Sequence, residues 1–114
     1  MRQLTPEVLW TSSRHHFAPN HPTGEGHFPD NPIIPGAVVL QQLIREFAQA
    51  YGMIFPCEIA QAKFLLPIRP GDHVTIRWCP RQAGGYTFEI VSDGDGNPAL
   101  TGILVPHKKN EGGE

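Results

Sequence analysis

The sequence predicts an α+β domain with one long helix packed on an antiparallel sheet, and three observations carry that expectation. Leu40, Leu43, Ile44, Phe47 and Tyr51 recur at i, i+3, i+4, i+7 and i+11, the apolar stripe of a helix over 36–51. Downstream the period changes to two: Val74, Ile76 and Trp78 alternate with Thr75, Arg77 and Cys79, and Tyr86, Phe88 and Ile90 alternate again. Turn residues separate these runs and no second helical pattern interrupts them, which is a meander rather than a βαβ repeat.

Each element has its own justification. Residues 8–17, with Val8, Trp10 and His15 to Phe17 as bulky members, read as a first strand, and 18–31 as a loop dense in Pro, Gly, Asn and His. The helix starts at about Gly36 and ends at Tyr51, with Gly52 as its C-terminal cap. Val39, Ala48 and Ala50 widen its stripe, and a helix apolar over so much of its girth calls for a sheet wrapped around it. Glu58 to Leu66 forms the next strand, closed by a turn at Pro70-Gly71. Ala83-Gly84-Gly85 is a hairpin turn, and residues 93–98 form another before a last strand over Ala99 to Val105. Residues 107–114 are a polar tail, so 1–114 reads as a single domain with its core at about 8–106, without repeat or linker.

Composition narrows the function classes. A net charge of -2 argues against non-specific nucleic-acid binding. The N-terminus lacks a signal-peptide-like apolar run, and the longest apolar stretch, Ile33 to Leu40, is broken by Pro35 and Gly36 and is too short to span a bilayer. Cys57 and Cys79 form no CxxC and read as buried thiols of a reducing, cytoplasmic compartment.

The most informative stretch is Gly26-His-Phe-Pro-Asp-Asn-Pro-Ile-Ile-Pro-Gly36, which runs straight into the helix. Pro29, Pro32 and Pro35 fix their own φ and push Phe28, Asn31 and Ile34 to extended conformations, so His27 rides on a stiff loop beside a helix N-terminus. This segment resembles the active-site run His-Phe-Pro-Gly-x-Pro-x-x-Pro-Gly of the FabA/FabZ-type β-hydroxyacyl-ACP dehydratases. A second segment, Phe64-Leu-Leu-Pro-Ile-Arg-Pro-Gly-Asp72, is similar to the family's Phe-x-x-Pro-Val-x-Pro-Gly-Asp. The resemblance covers roughly residues 8–106 and implies a hotdog fold.

It also implies a chemistry. Dehydration of a 3-hydroxyacyl thioester requires a base for the α-proton, a donor for the enolate-like oxygen, and an acid for the departing hydroxyl. His27 matches the catalytic histidine, and imidazole suits proton transfer near neutral pH. The alternative for His27 is a loop histidine bonded to backbone. Gly36 matches the glycine whose N–H, at the positive end of the helix, polarises the thioester carbonyl. Phe28, Pro35 and Ala37 would line the substrate site with it. Fourteen residues after its histidine the family carries Glu or Asp, and here the position is Gln41. An amide can orient a hydroxyl or water but cannot donate a proton as a general acid. Glu46 lies about 140° round the helix from Gln41. Glu25 and Asp30 flank His27, and Asp30 stands where the family has glycine.

Other motifs weigh less. His15, His16, His21 and His27 cluster in sequence, but adjacent strand residues face opposite ways and no zinc spacing is present. Asp93-x-Asp-x-Asn97 lacks the EF-hand glycine and the closing Glu, and Gly24-x-Gly26 is followed by Pro29 in place of the third dinucleotide-motif glycine. The expectation is therefore a cytoplasmic dehydratase-like protein acting on acyl-ACP or acyl-CoA thioesters in fatty-acid or polyene-type lipid synthesis. No cofactor or metal is implied. The resemblance further implies a homodimer or a multiple of dimers and an acyl carrier protein as partner, docked on Lys63, Arg69, Arg77 or Arg81. A hotdog thioesterase using Gln41 to place a water, and a non-catalytic acyl-binding subunit, are the alternatives.

Overall fold

The computed structural model describes residues 10–19, 33–52, 56–94 and 96–107. Strand β1 (Thr11–His16) is followed by helix α1 (Gly36–Tyr51) and then by β2 (Cys57–Phe64), β3 (His73–Pro80), β4 (Tyr86–Ser92) and β5 (Pro98–Pro106). The five strands form one sheet in the order β1-β3-β4-β5-β2, and every pairing is antiparallel. The two hairpins β3–β4 and β4–β5 are local, whereas β1 and β2 reach the two edges through long-range pairing.

Helix α1 has the limits its pattern predicts. Gly52 adopts φ 64°, and its N–H closes the last turn onto Ala48 and Gln49 carbonyls. Its buried row is Val39, Leu43 and Phe47, with Leu40 and Ile44 partly buried beside it. The stripe is thus centred slightly away from the expected one. Val39 lies at its middle, and Tyr51 at its margin is 41% exposed, where its hydroxyl accepts a hydrogen bond from Trp78 Nε1 at 3.2 Å. The helix row meets Val74, Ile76, Trp78, Phe88, Ile90, Leu100 and Leu104 in a single core. The opposite face, with Ala37, Gln41, Arg45 and Gln49, is exposed.

The turns follow their glycines. Pro70-Gly71 makes a tight turn in which Asp72 N–H bonds Arg69 C=O at 3.0 Å, and Gly71 takes φ 95°. The outer face of the sheet is polar: Arg77 donates to Glu89 at 2.8 Å and lies over the Trp10 ring, and Arg14 pairs with Asp93. Neither cysteine is in a disulfide; Cys79 is buried and Cys57 half-buried, and burial pushes the Cys57 thiol pKa up. Among the described residues no helix is long and apolar enough to cross a membrane.

Candidate active site

The chain is anchored at Ile34, just before the helix begins. Ile34 N–H bonds Ile68 C=O at 2.7 Å, and the buried Ile34 and Ile68 side chains join the core. Pro35, at φ −57° and ψ 145°, then turns the chain into α1. Its carbonyl accepts from Val38 N–H at 3.0 Å and Val39 N–H at 3.2 Å. Proline has no N–H, so Gly36 and Ala37 own the two helix-start donors that this carbonyl does not take. Among the described residues no side chain caps them, and no acidic residue lies in the first turn. The positive end of a helix favours an oxygen acceptor.

Gly36 lines an apolar cavity of about 460 Å³ together with Ile33, Ile34, Val39, the 64–68 segment, Ala99 and Leu100. Glycine at 36 has a steric reason. A Cβ there would lie 2.7 Å from Phe64 Cε1 and 2.8 Å from Cζ, so the Phe64 ring rests directly on the helix start. Phe64, Leu65 and Leu66 are 56%, 48% and 38% exposed, an apolar rim beside the cavity at the end of edge strand β2. This rim was missed as a site from sequence. Three consecutive apolar residues cannot all sit on one face of a strand, and that break in the period was the available signal.

Gln41 is placed elsewhere. It is exposed, and five helical positions put it about 140° round from Gly36, so a single chain does not bring the two together. Glu46 is also engaged elsewhere. One carboxylate oxygen accepts from Ser13 Oγ, and the other from Gln42 Nε2 at 2.8 Å, with His15 Nδ1 at 3.7 Å. Pro35 and Ala37 flank Gly36 at the helix start. His27, Phe28, Glu25 and Asp30 lie outside the described residues. Of the four basic residues considered for docking, Arg77 and Arg81 are held by Glu89 and by the Gly84 carbonyl. Lys63 and Arg69 are exposed at either end of the rim segment.

Comparison with known proteins agrees with this architecture. The chain is 28% identical over 110 residues to the 3-hydroxyacyl-[acyl-carrier-protein] dehydratase FabZ of Histophilus somni strain 2336, an alignment covering 85% of this chain and 64% of that protein. The chain therefore spans less than two thirds of that curated relative's length. Among solved structures, the dehydratase heterocomplex ApeI:P from Xenorhabdus doucetiae superposes with a TM-score of 0.67 at 22% identity, covering 94% of this chain and 93% of that one. An N-terminal dehydratase from the difficidin assembly line gives 0.71 at 13% identity, covering 93% of this chain and 41% of the other. Their shared architecture is the hotdog fold expected from the two sequence motifs. The family model described as "ApeI-like: ApeI dehydratase" matches residues 10–102, nearly the whole described fold, and the chain belongs to that family.

Proposed function

We propose that this protein is a weak 3-hydroxyacyl thioester dehydratase. The observation that carries the reading is the helix start at Gly36, which no described side chain caps and which lines an apolar cavity, nine residues after His27 in the sequence. The acyl chain occupies the cavity, and the thioester carbonyl oxygen accepts from Gly36 N–H. His27 removes the α-proton, and the electron pair moves into the carbonyl and returns to form the C2=C3 bond as the C3–O bond breaks. With Gln41 in place of a carboxylate, the departing hydroxide takes its proton from the His27 imidazolium, so one imidazole serves both transfers. Gln41 orients the hydroxyl or the water. General acid–base help is typically worth ~10²–10⁴-fold, so a site without its own acid is slow.

The site is composite. Gln41 faces away from its own Gly36, and β2 is an open strand edge with an apolar rim beside it. A second copy on that edge covers the rim and supplies a foreign surface to the cavity mouth, in keeping with a homodimer. Lys63 and Arg69 then offer positive charge to an acidic acyl carrier protein in the cytoplasm. A second reading rests on Gln41 alone: a binding subunit that has lost its acid and pairs with a different, active chain, as a dehydratase heterocomplex such as ApeI:P from Xenorhabdus doucetiae joins unlike chains.

Incubation with 3-hydroxyacyl-ACP and 3-hydroxyacyl-CoA, followed by mass spectrometry, separates the readings. The proposal expects enoyl thioester, abolished by His27→Ala with little change in the thermal melt. Free acid would make the protein a thioesterase. No product from a folded dimer would leave the binding-subunit reading.

A further inference from the structure

The histidines adjacent in sequence do not pair with one another. Strand pairing instead sets His16 directly opposite His73, and their imidazoles stack with centroids 3.9 Å apart and planes within 3° of parallel. Both residues are exposed, so core packing does not force them together. Face-to-face stacking is also not the arrangement aromatic rings prefer. Directly opposed residues on antiparallel strands have Cβ atoms ~4.5–5.5 Å apart. An ion bound by two imidazole nitrogens at ~2.0–2.1 Å requires those nitrogens roughly 3 Å apart. Because each nitrogen lone pair lies in its ring plane, both exposed side chains must rotate out of the observed stack for their nitrogens to converge on one ion.

We propose that His16 and His73 form a bidentate site for a divalent transition-metal ion on the outer face of the sheet. Imidazole nitrogen suits Cu²⁺, Ni²⁺ and Zn²⁺, and Cu²⁺ binds most tightly of these. Nearby carboxylates are committed: Asp93 to Arg14 and Thr75, and Asp72 to the Arg69 N–H. Among the described residues no third His, Cys, Asp or Glu completes a cluster, so water fills the remaining positions and the ion exchanges readily. The bound ion ties edge strand β1 to β3 beside Phe17, whose N–H and C=O already bond Asp72 C=O and Gly71 N–H. This site is independent of the dehydratase reading.

The test is calorimetric titration of the full chain with Ni²⁺ and Cu²⁺ in a non-coordinating buffer, with thermal melts in parallel. One ion per chain is expected, with a higher melting temperature at saturation. His16→Gln and His73→Gln should each weaken binding at least about tenfold, because either removes the chelate. His21→Gln should leave it unchanged. Absence of binding, survival in either single variant, or dependence on His21 would overturn the proposal. If a variant fails to fold, Cu²⁺ broadening of histidine ring signals in the wild-type protein decides. Selective loss of the His16 and His73 signals supports the site, and selective loss of any other pair refutes it.

Discussion

Gly36→Ala separates the two roles the structure gives this glycine. The added methyl would sit 2.7 Å from Phe64 Cε1, about 1 Å inside an ordinary carbon–carbon contact of ~3.5–4.0 Å. Phe64 is 56% exposed, so its ring can swing outward without opening the core. Alanine also favours a helix over glycine by up to ~1 kcal/mol, which offsets part of the displacement. The expected change in stability is therefore within about 1–2 kcal/mol. Turnover should fall further, because the methyl and the displaced ring crowd the approach to the Gly36 N–H. Loss of one oxyanion donor is worth ~10²–10³ in rate. The assay is enoyl thioester formation with melts in parallel, extended to Phe64→Ala and the double variant. Recovery of the rate in the double variant assigns the loss to the ring. Continued loss assigns it to the blocked donor. Unfolding of Gly36→Ala would refute the claim that the ring can move, and unchanged turnover would remove Gly36 from the mechanism.

Two further perturbations test the frame. A Cβ at Gly102 would lie 2.0 Å from the Gln61 carbonyl oxygen on β2 and 2.7 Å from buried Phe88 Cζ. Gly102→Ala should therefore cost at least the upper end of the ~1–3 kcal/mol typical of overpacked cores, and a denaturant midpoint equal to wild type would contradict the β2–β5 register. Leu65→Asp places a charge in the exposed rim, and light scattering at micromolar concentration should show a dimer for wild type and a folded monomer for the variant. A wild-type monomer, or a variant that still pairs, would contradict the use of the β2 edge.

Local signals in the chain anticipated most of the elements. Helix 36–51 and its Gly52 cap match, because a 3.6 period bounded by Pro35 and Gly52 leaves little freedom. Strands β2 to β5 match within two residues for the parallel reason of period two between turn glycines, whereas β1 begins at Thr11 rather than at residue 8, with 8 and 9 outside the described residues. The rotation of the helix was less accessible: the stripe from Leu40 to Tyr51 is real, but the sheet sets its centre on Val39, Leu43 and Phe47. Strand order was beyond local pattern, since β2 pairs with the last strand and His16 finds His73 only through tertiary pairing. The helix-start part of the site was legible because proline and glycine carry backbone geometry in their identity. Phe64 was not, because its role depends on a contact between distant segments. Gln41 was visible as a departure from the family and its angular offset from Gly36 follows from the helix step, while its exposure on the face away from the sheet needed the fold.

The rate of 3-hydroxyacyl-ACP dehydration by wild type against Gln41→Glu is the most direct test of the central claim. Gln41 is exposed, so the substitution should leave the fold intact. If a dehydratase site here lacks only its acid, wild type forms enoyl thioester slowly and Gln41→Glu accelerates it at least about tenfold, a little over 1 kcal/mol of barrier. A fast wild type that glutamate slows would contradict the account, because the amide would then be the working group.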